Sequence, residues 1–174
     1  MSHAGSGWVG GTPGGSAGGL SPRAKETRAR ADGVRAEDAR RTGLRLAAGG
    51  VEARRLSSVH EHSEAEKLPK VLDRLRRGGE LALVSDAGTP LLSDPGYRLV
   101  RACRAEGIRV APLPGPSAPV AALSASGLPP YPFAFLGFAP RKKGERGAFF
   151  APYAALPATL VFFERKDRLH ATLA

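Results

Sequence analysis

The chain has 174 residues, 26 Lys+Arg against 16 Asp+Glu, and a formal net charge of +10, a length of one domain or one and a fraction. Its single cysteine excludes a disulfide framework and any multi-cysteine zinc site; no apolar run reaches the roughly 18 residues of a membrane span, and the N-terminus lacks the basic start and apolar stretch of a secretory signal. These features predict a soluble, cytoplasmic protein whose 42% hydrophobic residues suffice for a core and whose excess charge suits a polyanion such as nucleic acid.

Residues 1–60 carry a net +5, residues 61–120 only +1 and residues 121–174 +4, so the core is expected in the middle and basic surface at the ends. Eight of the 22 glycines fall within residues 1–19, and Gly10 to Gly19 taken alone reads as a flexible, low-complexity start. Ser63-x-x-Glu66 is a capping box, followed by Leu68, Val71, Leu72 and Leu75 on one helix face, with Gly78-Gly79 as the stop. Leu81 to Ser85 is a short apolar run, as for a strand buried on both faces. After a loop, Asp94-Pro95 reads as an N-cap with proline at the first helical position, opening a helix that turns Leu99, Val100 and Cys103 inward and stops at Gly107. Ile108 to Ala111 is the next strand, and Pro114-Gly115-Pro116-Ser117 turns into a small-residue helix, Ala118 to Ala125, closed by Gly127. Phe133 to Phe138 and Thr159 to Glu164 are two more strands around a basic loop, Arg141-Lys142-Lys143-Gly144-Glu145-Arg146. This alternation predicts an α/β fold with a parallel-rich sheet and crossover helices.

In such a sheet, ligands bind beyond the carboxyl ends of the strands. Two loops lie there: Ser85-Asp86-Ala87-Gly88-Thr89-Pro90, which offers a carboxylate, a glycine and a hydroxyl, and Pro114-Gly115-Pro116-Ser117-Ala118, whose serine opens a helix. Turn chemistry alone would read both as tight turns whose Asp and Ser cap helices. Neither loop is a Walker phosphate cradle and no G-x-G-x-x-G follows a strand, which disfavours nucleoside triphosphate and ordinary nicotinamide chemistry. No metal set is expected; His60 and His62 are two apart, suiting alternate faces of a strand. Cys103, on an apolar helix face, reads as core.

Taken together, Leu83-Val84-Ser85-Asp86-Ala87-Gly88-Thr89-Pro90-Leu91-Leu92-Ser93-Asp94-Pro95-Gly96 and Pro112-Leu113-Pro114-Gly115-Pro116-Ser117-Ala118 resemble the RsmI family, the ribosomal RNA (cytidine-2′-O)-methyltransferases of the tetrapyrrole-methylase superfamily. The resemblance continues through Ala125-Ser126-Gly127-Leu128-Pro129, Phe138-Ala139-Pro140-Arg141-Lys142 and Thr159-Leu160-Val161-Phe162-Phe163-Glu164. Upstream it takes in Ala36-Glu37-Asp38-Ala39-Arg40-Arg41-Thr42-Gly43-Leu44 and His60-Glu61-His62-Ser63-Glu64. It implies a tetrapyrrole-methylase-like N-terminal α/β domain, the start of a second α/β domain, and S-adenosylmethionine in the cleft between them. The implied reaction is methyl transfer to a cytidine ribose 2′-hydroxyl of small-subunit (16S) rRNA, carried out by a homodimer.

On that resemblance Asp86, Ala87, Gly88, Thr89, Ser117 and Ala118 match donor-binding positions, and Thr12 and Pro13 align with a further donor-side loop. Asp86→Ala is accordingly expected to weaken donor binding far more than it unfolds the chain. Glu37, Asp38 and His60 match landmarks that could accept a proton, though the carboxylates could equally pair Arg40 or Arg41 and only hold their loop. Arg141, Lys142, Lys143 and Arg146 are candidates for RNA phosphates, or else a solvated charge run.

Two departures from the family stand out. Glycine replaces apolar residues around Trp8-Val9-Gly10-Gly11, where a first strand should pack, and Lys25, Arg28, Arg30 and Arg35 interrupt an expected apolar helix stripe and buried strand. The chain also stops early in the expected second domain. The domain expectation is therefore a glycine-rich start over 1–19, a methylase domain over 20–128 and a truncated second domain over 129–174. The departures keep open a degenerate family member acting as a basic RNA-binding module, and a methylase of tetrapyrrole intermediates is a further reading that the basic balance disfavours.

Overall fold

Backbone pairing on both sides, rather than side-chain propensity, organises the N-terminal part of the chain. The structure is a computed structural model that describes residues 5–12, 19–52, 55–58, 61–86 and 88–173. It separates into two units, Met1–Ser117 and Ala118–Ala174, whereas the sequence predicts a boundary after residue 128.

In the first unit β1 (Ser6–Gly10), β2 (Gly33–Ala36), β3 (Leu56–Ser58), β4 (Glu80–Val84) and β5 (Arg109–Leu113) form one sheet in the order β3-β2-β4-β1-β5. Every pairing is parallel. The crossovers are α1 (Pro22–Arg30), α2 (Ala39–Ala48), α3 (Glu61–Arg76) and α4 (Tyr97–Ala105). Because side chains alternate across a strand, the sheet has two apolar faces. Trp8, Ala82, Val84, Ala111 and Leu113 pack with Leu20, just before α1, with Ala24 of α1 and with Leu46 of α2. Leu81 packs with Val71, Leu72 and Leu75 of α3 and with Leu99 and Cys103 of α4. Cys103 is a core residue, as the sequence predicts.

Three sequence expectations need correction here. Gly10, where the stretch that taken alone reads as flexible begins, is the last residue of β1, an interior strand in register with β4 (Ser6 opposite Glu80) and with β5 (Ser6 opposite Arg109). Its glycines are compatible with this because the ladder bonds belong to the backbone, and just before it Gly5 lies so close that an added Cβ would sit 1.9 Å from the Gly79 carbonyl oxygen. The helix opened by Asp94-Pro95 in the sequence begins at Tyr97 instead, after Gly96 at φ 119°. Its third amide, Leu99 N–H, donates to the buried Glu64 carboxylate at 2.9 Å, a cap supplied from α3 rather than from the local sequence. α3 itself begins at Glu61, so Ser63 lies inside the helix and not at its cap.

Arginines in the apolar pattern are absorbed rather than expelled. Arg28 is fully buried and donates through Nη2 to the Gly10 and Gly11 carbonyls, at 3.0 and 2.5 Å. Arg35 donates to the Ser57 hydroxyl at 2.7 Å.

The second unit contains α5 (Ala118–Ser126), β6 (Phe133–Phe138), α6 (Lys143–Phe150), β7 (Thr159–Phe163) and α7 (Leu169–Leu173). β6 and β7 pair in parallel, close to the predicted strand bounds. Edge-to-face aromatic pairs hold the unit together, Phe135 on Phe163 at 4.9 Å and Phe150 on Phe162 at 5.1 Å between ring centroids. Among the described residues no helix is long and apolar enough to cross a membrane.

Candidate functional site

The connection leaving β1 runs to β2 over one face of the sheet, and the connection leaving β4 runs to β5 over the other. Adjacent strands whose connections diverge in this way open a crevice at their carboxyl ends. Three loops meet there, after β1, β4 and β5. Thr12 and Gly88 form a reciprocal pair, Thr12 N–H to Gly88 O at 2.8 Å and Gly88 N–H to Thr12 O at 2.6 Å. The Ser85 hydroxyl donates to the Gly88 carbonyl at 2.7 Å, and the Thr89 hydroxyl donates to the Pro116 carbonyl at 3.1 Å.

Glycine makes this junction possible. A Cβ on Gly11 would lie 3.1 Å from Gly88 O and 3.3 Å from both Gly115 Cα and Pro116 Cδ; one on Gly115 would lie 3.0 Å from Gly11 Cα. Thr12 is buried, and its hydroxyl has no hydrogen-bond partner among the described residues. A buried, unpaired hydroxyl is a feature that a polar ligand would satisfy. The loop between β4 and α4 is also conformationally costly: Leu91 and Ser93 have φ of 73° and 64°, a region that side chains disfavour and that recurs at binding sites.

Asp86 leaves the end of β4 with its carboxylate largely committed to α2. Oδ1 accepts the Asp38 N–H at 3.1 Å and the Thr42 hydroxyl at 3.0 Å; Oδ2 lies 3.7 Å from Arg41. Arg45 donates to the Asp86 backbone carbonyl. Asp38 is the N-cap of α2, its Oδ1 accepting from the amides of Arg40 and Arg41 at 2.9 and 3.1 Å. Its carboxylate thus binds its own helix start, the loop-holding role that the sequence leaves open. Glu37, next to it, stands close enough to Asp94 to influence it. The Asp94 carboxyl is pushed up to about 6, first by burial and then by the negative charges of Glu37 and Asp86. Sequence pattern reads Asp94 only as a helix cap; its charged neighbours are brought in by β2 and β4, which no local pattern reveals.

Ser117 ends the first unit and is partly buried; Ala118, at the start of the second, is exposed. Pro13, Ala87 and His60, all singled out in the sequence, lie outside the described residues. In the second unit, Arg146 donates to the Pro140, Arg141 and Ala171 carbonyls, so its guanidinium braces its own loop. Lys142 pairs with Glu145 at 3.2 Å, both exposed. The structure gives no comparable partner to Arg141 or Lys143 among the described residues.

Three comparisons bear on this arrangement. The family model of the Tetrapyrrole (Corrin/Porphyrin) Methylases matches residues 9–174. Among curated proteins, the ribosomal RNA small subunit methyltransferase I of Escherichia coli O157:H7 is 50% identical over 159 residues, covering 91% of this chain and 55% of that protein. The protein of that name from Mycobacterium tuberculosis is 46% identical over 168 residues, 95% of this chain and 58% of its own. The chain thus spans about half the length of the curated relatives it matches. Among solved structures, uroporphyrin III C-methyl transferase from Thermus thermophilus superposes with a TM-score of 0.61 at 22% identity, over 94% of this chain and 71% of that one. That likeness is one of fold.

Proposed function

The chain belongs to the tetrapyrrole (corrin/porphyrin) methylase family, and on that premise we propose that it transfers a methyl group from S-adenosylmethionine to a cytidine ribose 2′-hydroxyl of small-subunit (16S) rRNA. The observation that carries the reading is the junction of the three glycine loops, with the unpaired Thr12 hydroxyl buried beside it. Gly11, Thr12, Gly88 and Thr89 would hold the donor, and Ser117, in the loop after β5, would extend the site. The glycines let the three loops pack backbone to backbone, since an added Cβ at Gly11 or Gly115 would collide with the neighbouring loop, and the buried Thr12 hydroxyl left without a partner is a group that a polar donor molecule would satisfy. When bound, S-adenosylmethionine supplies an electrophilic sulfonium methyl group.

The chain's own residues must do two further things. They must hold the attacking oxygen in line at roughly 3–3.5 Å from the carbon it attacks, and they must receive the proton that the hydroxyl loses. We propose Asp94 for the second task, because it lies in the same β4–α4 connection as Gly88 and Thr89, partly buried and near Glu37 and Asp86. A carboxylate raised to about 6 is still ionised near neutral pH, yet is a stronger base than an ordinary one. Asp86 keeps α2 against the loop, and Glu37 supplies charge that raises Asp94. The rRNA substrate is supported by the printed names of relatives 44–50% identical to this chain and by the net charge of +10. The reading extends to a cytoplasmic homodimer.

Calorimetric titration of S-adenosylhomocysteine into the 174-residue chain tests the donor site. Saturable binding at micromolar concentrations is expected, and methyl transfer from labelled donor to small ribosomal subunits should follow. An absence of binding would overturn the assignment of the three loops.

A further inference from the structure

At the other end of β4, the N-terminal end, the surface is basic in a way the donor site does not use. A groove of about 380 Å³ is lined by Lys70, Asp73, Arg74, Arg77 and Gly79. Lys70, Arg74 and Arg77 stand at i, i+4 and i+7, one face of α3. Lys70 and Arg77 are exposed and have no ion pair among the described residues.

The nearby carboxylates are already engaged. Asp73 pairs with Arg76 at 2.8 Å, and Arg76 in turn grips Glu106. The Asp32 Oδ2 accepts the Glu80 N–H at 2.8 Å, and Glu80 pairs with Arg30. The positive field is felt locally: Arg35 is held below its ordinary value, first by burial and then by the charge of Arg74.

We propose that Lys70, Arg74 and Arg77 hold backbone phosphates of the RNA substrate in this groove, a second anchoring point on the first unit. The proposal rests on the rRNA reading above. A line of three cations with engaged counter-ions matches a run of phosphates in charge. One five-residue strand, about 16 Å at roughly 3.3 Å per residue, separates the groove from the donor loops. RNA continuing away from the target ribose can therefore lie across both. Such a contact carries no sequence information; it fixes register and orientation. The basic loop at 141–146 is a weaker source of this anchoring, since Arg146 is committed to its own loop.

The test is the salt dependence of binding to transcribed small-subunit rRNA, measured by filter retention with the full chain. In the K70Q/R77Q double variant both substituted side chains are exposed; Arg74 is spared because its Nη2 supports the Asp32 carbonyl at 3.0 Å. An R101Q/R104Q variant, equally exposed on α4, removes the same charge elsewhere. The groove variant should bind about tenfold more weakly at about 0.1 M salt, with the slope of log K against log salt shallower by about 1.4 to 1.8. The control should change far less, and calorimetric binding of S-adenosylhomocysteine should be equal in all three proteins. A parent and groove variant of equal slope, or equal losses in the groove and control variants, overturns the groove while leaving the rRNA reading intact. A parent chain that binds S-adenosylhomocysteine but no rRNA overturns both.

Discussion

Replacing Gly115 by alanine puts one methyl group where three loops converge. The added Cβ would lie 3.0 Å from Gly11 Cα, 3.3 Å from Gly11 N and 3.4 Å from Gly11 C. All three are backbone atoms, and the neighbouring Thr12 is fixed by its reciprocal bonds to Gly88, so no side chain can rotate away. Overpacking of this kind costs about 1–3 kcal/mol. Loss of glycine's freedom in the unfolded chain returns about 0.4–1 kcal/mol, leaving a net loss of about 1–2 kcal/mol. Gly7→Ala is the matched comparison. It lies in β1, and its Cβ would meet Arg109 O at 3.7 Å and Val110 Cγ2 at 3.9 Å, ordinary contact distances, so a gain of about 0.5–1 kcal/mol is expected. The assay is urea unfolding followed by fluorescence of Trp8, the chain's single tryptophan, which sits in β1 and so reports on this sheet alone. Gly115→Ala should also weaken S-adenosylhomocysteine binding, because the loops proposed to hold the donor must move apart to admit the methyl group. A Gly115→Ala protein that unfolds at the parent's urea midpoint and binds as tightly would refute the reasoning that these glycines hold the site closed.

Three further outcomes follow from the geometry. Asp94 keeps its proton up to about pH 6 when folded against 3.8 ordinarily, so the folded state binds more protons between those values and stability falls as pH rises through that window. The full shift corresponds to about 3 kcal/mol, reduced to about 1–2 by partial exposure. Asp94→Asn should therefore be more stable than the parent at pH 7–8 and equal to it near pH 3, while losing the acid limb of the methyl-transfer pH profile; a stability gap independent of pH would contradict this. Glu64→Ala leaves the buried Leu99 amide without its acceptor and should cost about 1–3 kcal/mol in urea unfolding, whereas Glu64→Gln, which keeps an acceptor oxygen, should cost less than about 1. Asp86→Ala removes the acceptor for Asp38 N–H and the Thr42 hydroxyl, so amide exchange across α2 should quicken together with the loss of donor binding; unchanged exchange in α2 would mean that the carboxylate serves the ligand alone.

The last of these departs from the sequence expectation, and the reason is general to this fold. Loop composition marks Asp86, Gly88 and Thr89 as unusual, and the strand–helix alternation puts them at a carboxyl edge, so the location of the site is legible. Which groups each residue touches depends on strand order, and β2 and β4 become neighbours only in the sheet. The Glu64 cap on α4 is likewise set 35 residues away, beyond any local capping pattern. Arg28 shows the same limit. Its charge reads as a defect in an apolar stripe, yet the carbonyls of Gly10 and Gly11 receive it. Desolvation still pulls it down to about 10, so the arrangement is tolerated rather than comfortable. β4, β6 and β7 were legible because their apolar runs are dense, whereas β1 was obscured because glycine carries no side-chain signal while pairing as well as any residue.

The interior position of β1 also bears on synthesis. This strand precedes both of its neighbours in the chain, which begin at Glu80 and Arg109, so during synthesis it has no partner on either side until those residues have been made. Pairing so distant in sequence is slow to form, and an unpaired apolar strand would invite association between nascent chains. Ser-Gly-Trp-Val-Gly is poor material for such association, with only two sizeable side chains and two glycines. The composition that makes β1 hard to recognise thus suits a segment that must wait, solvated and unattached, until residues 80–113 arrive to enclose it.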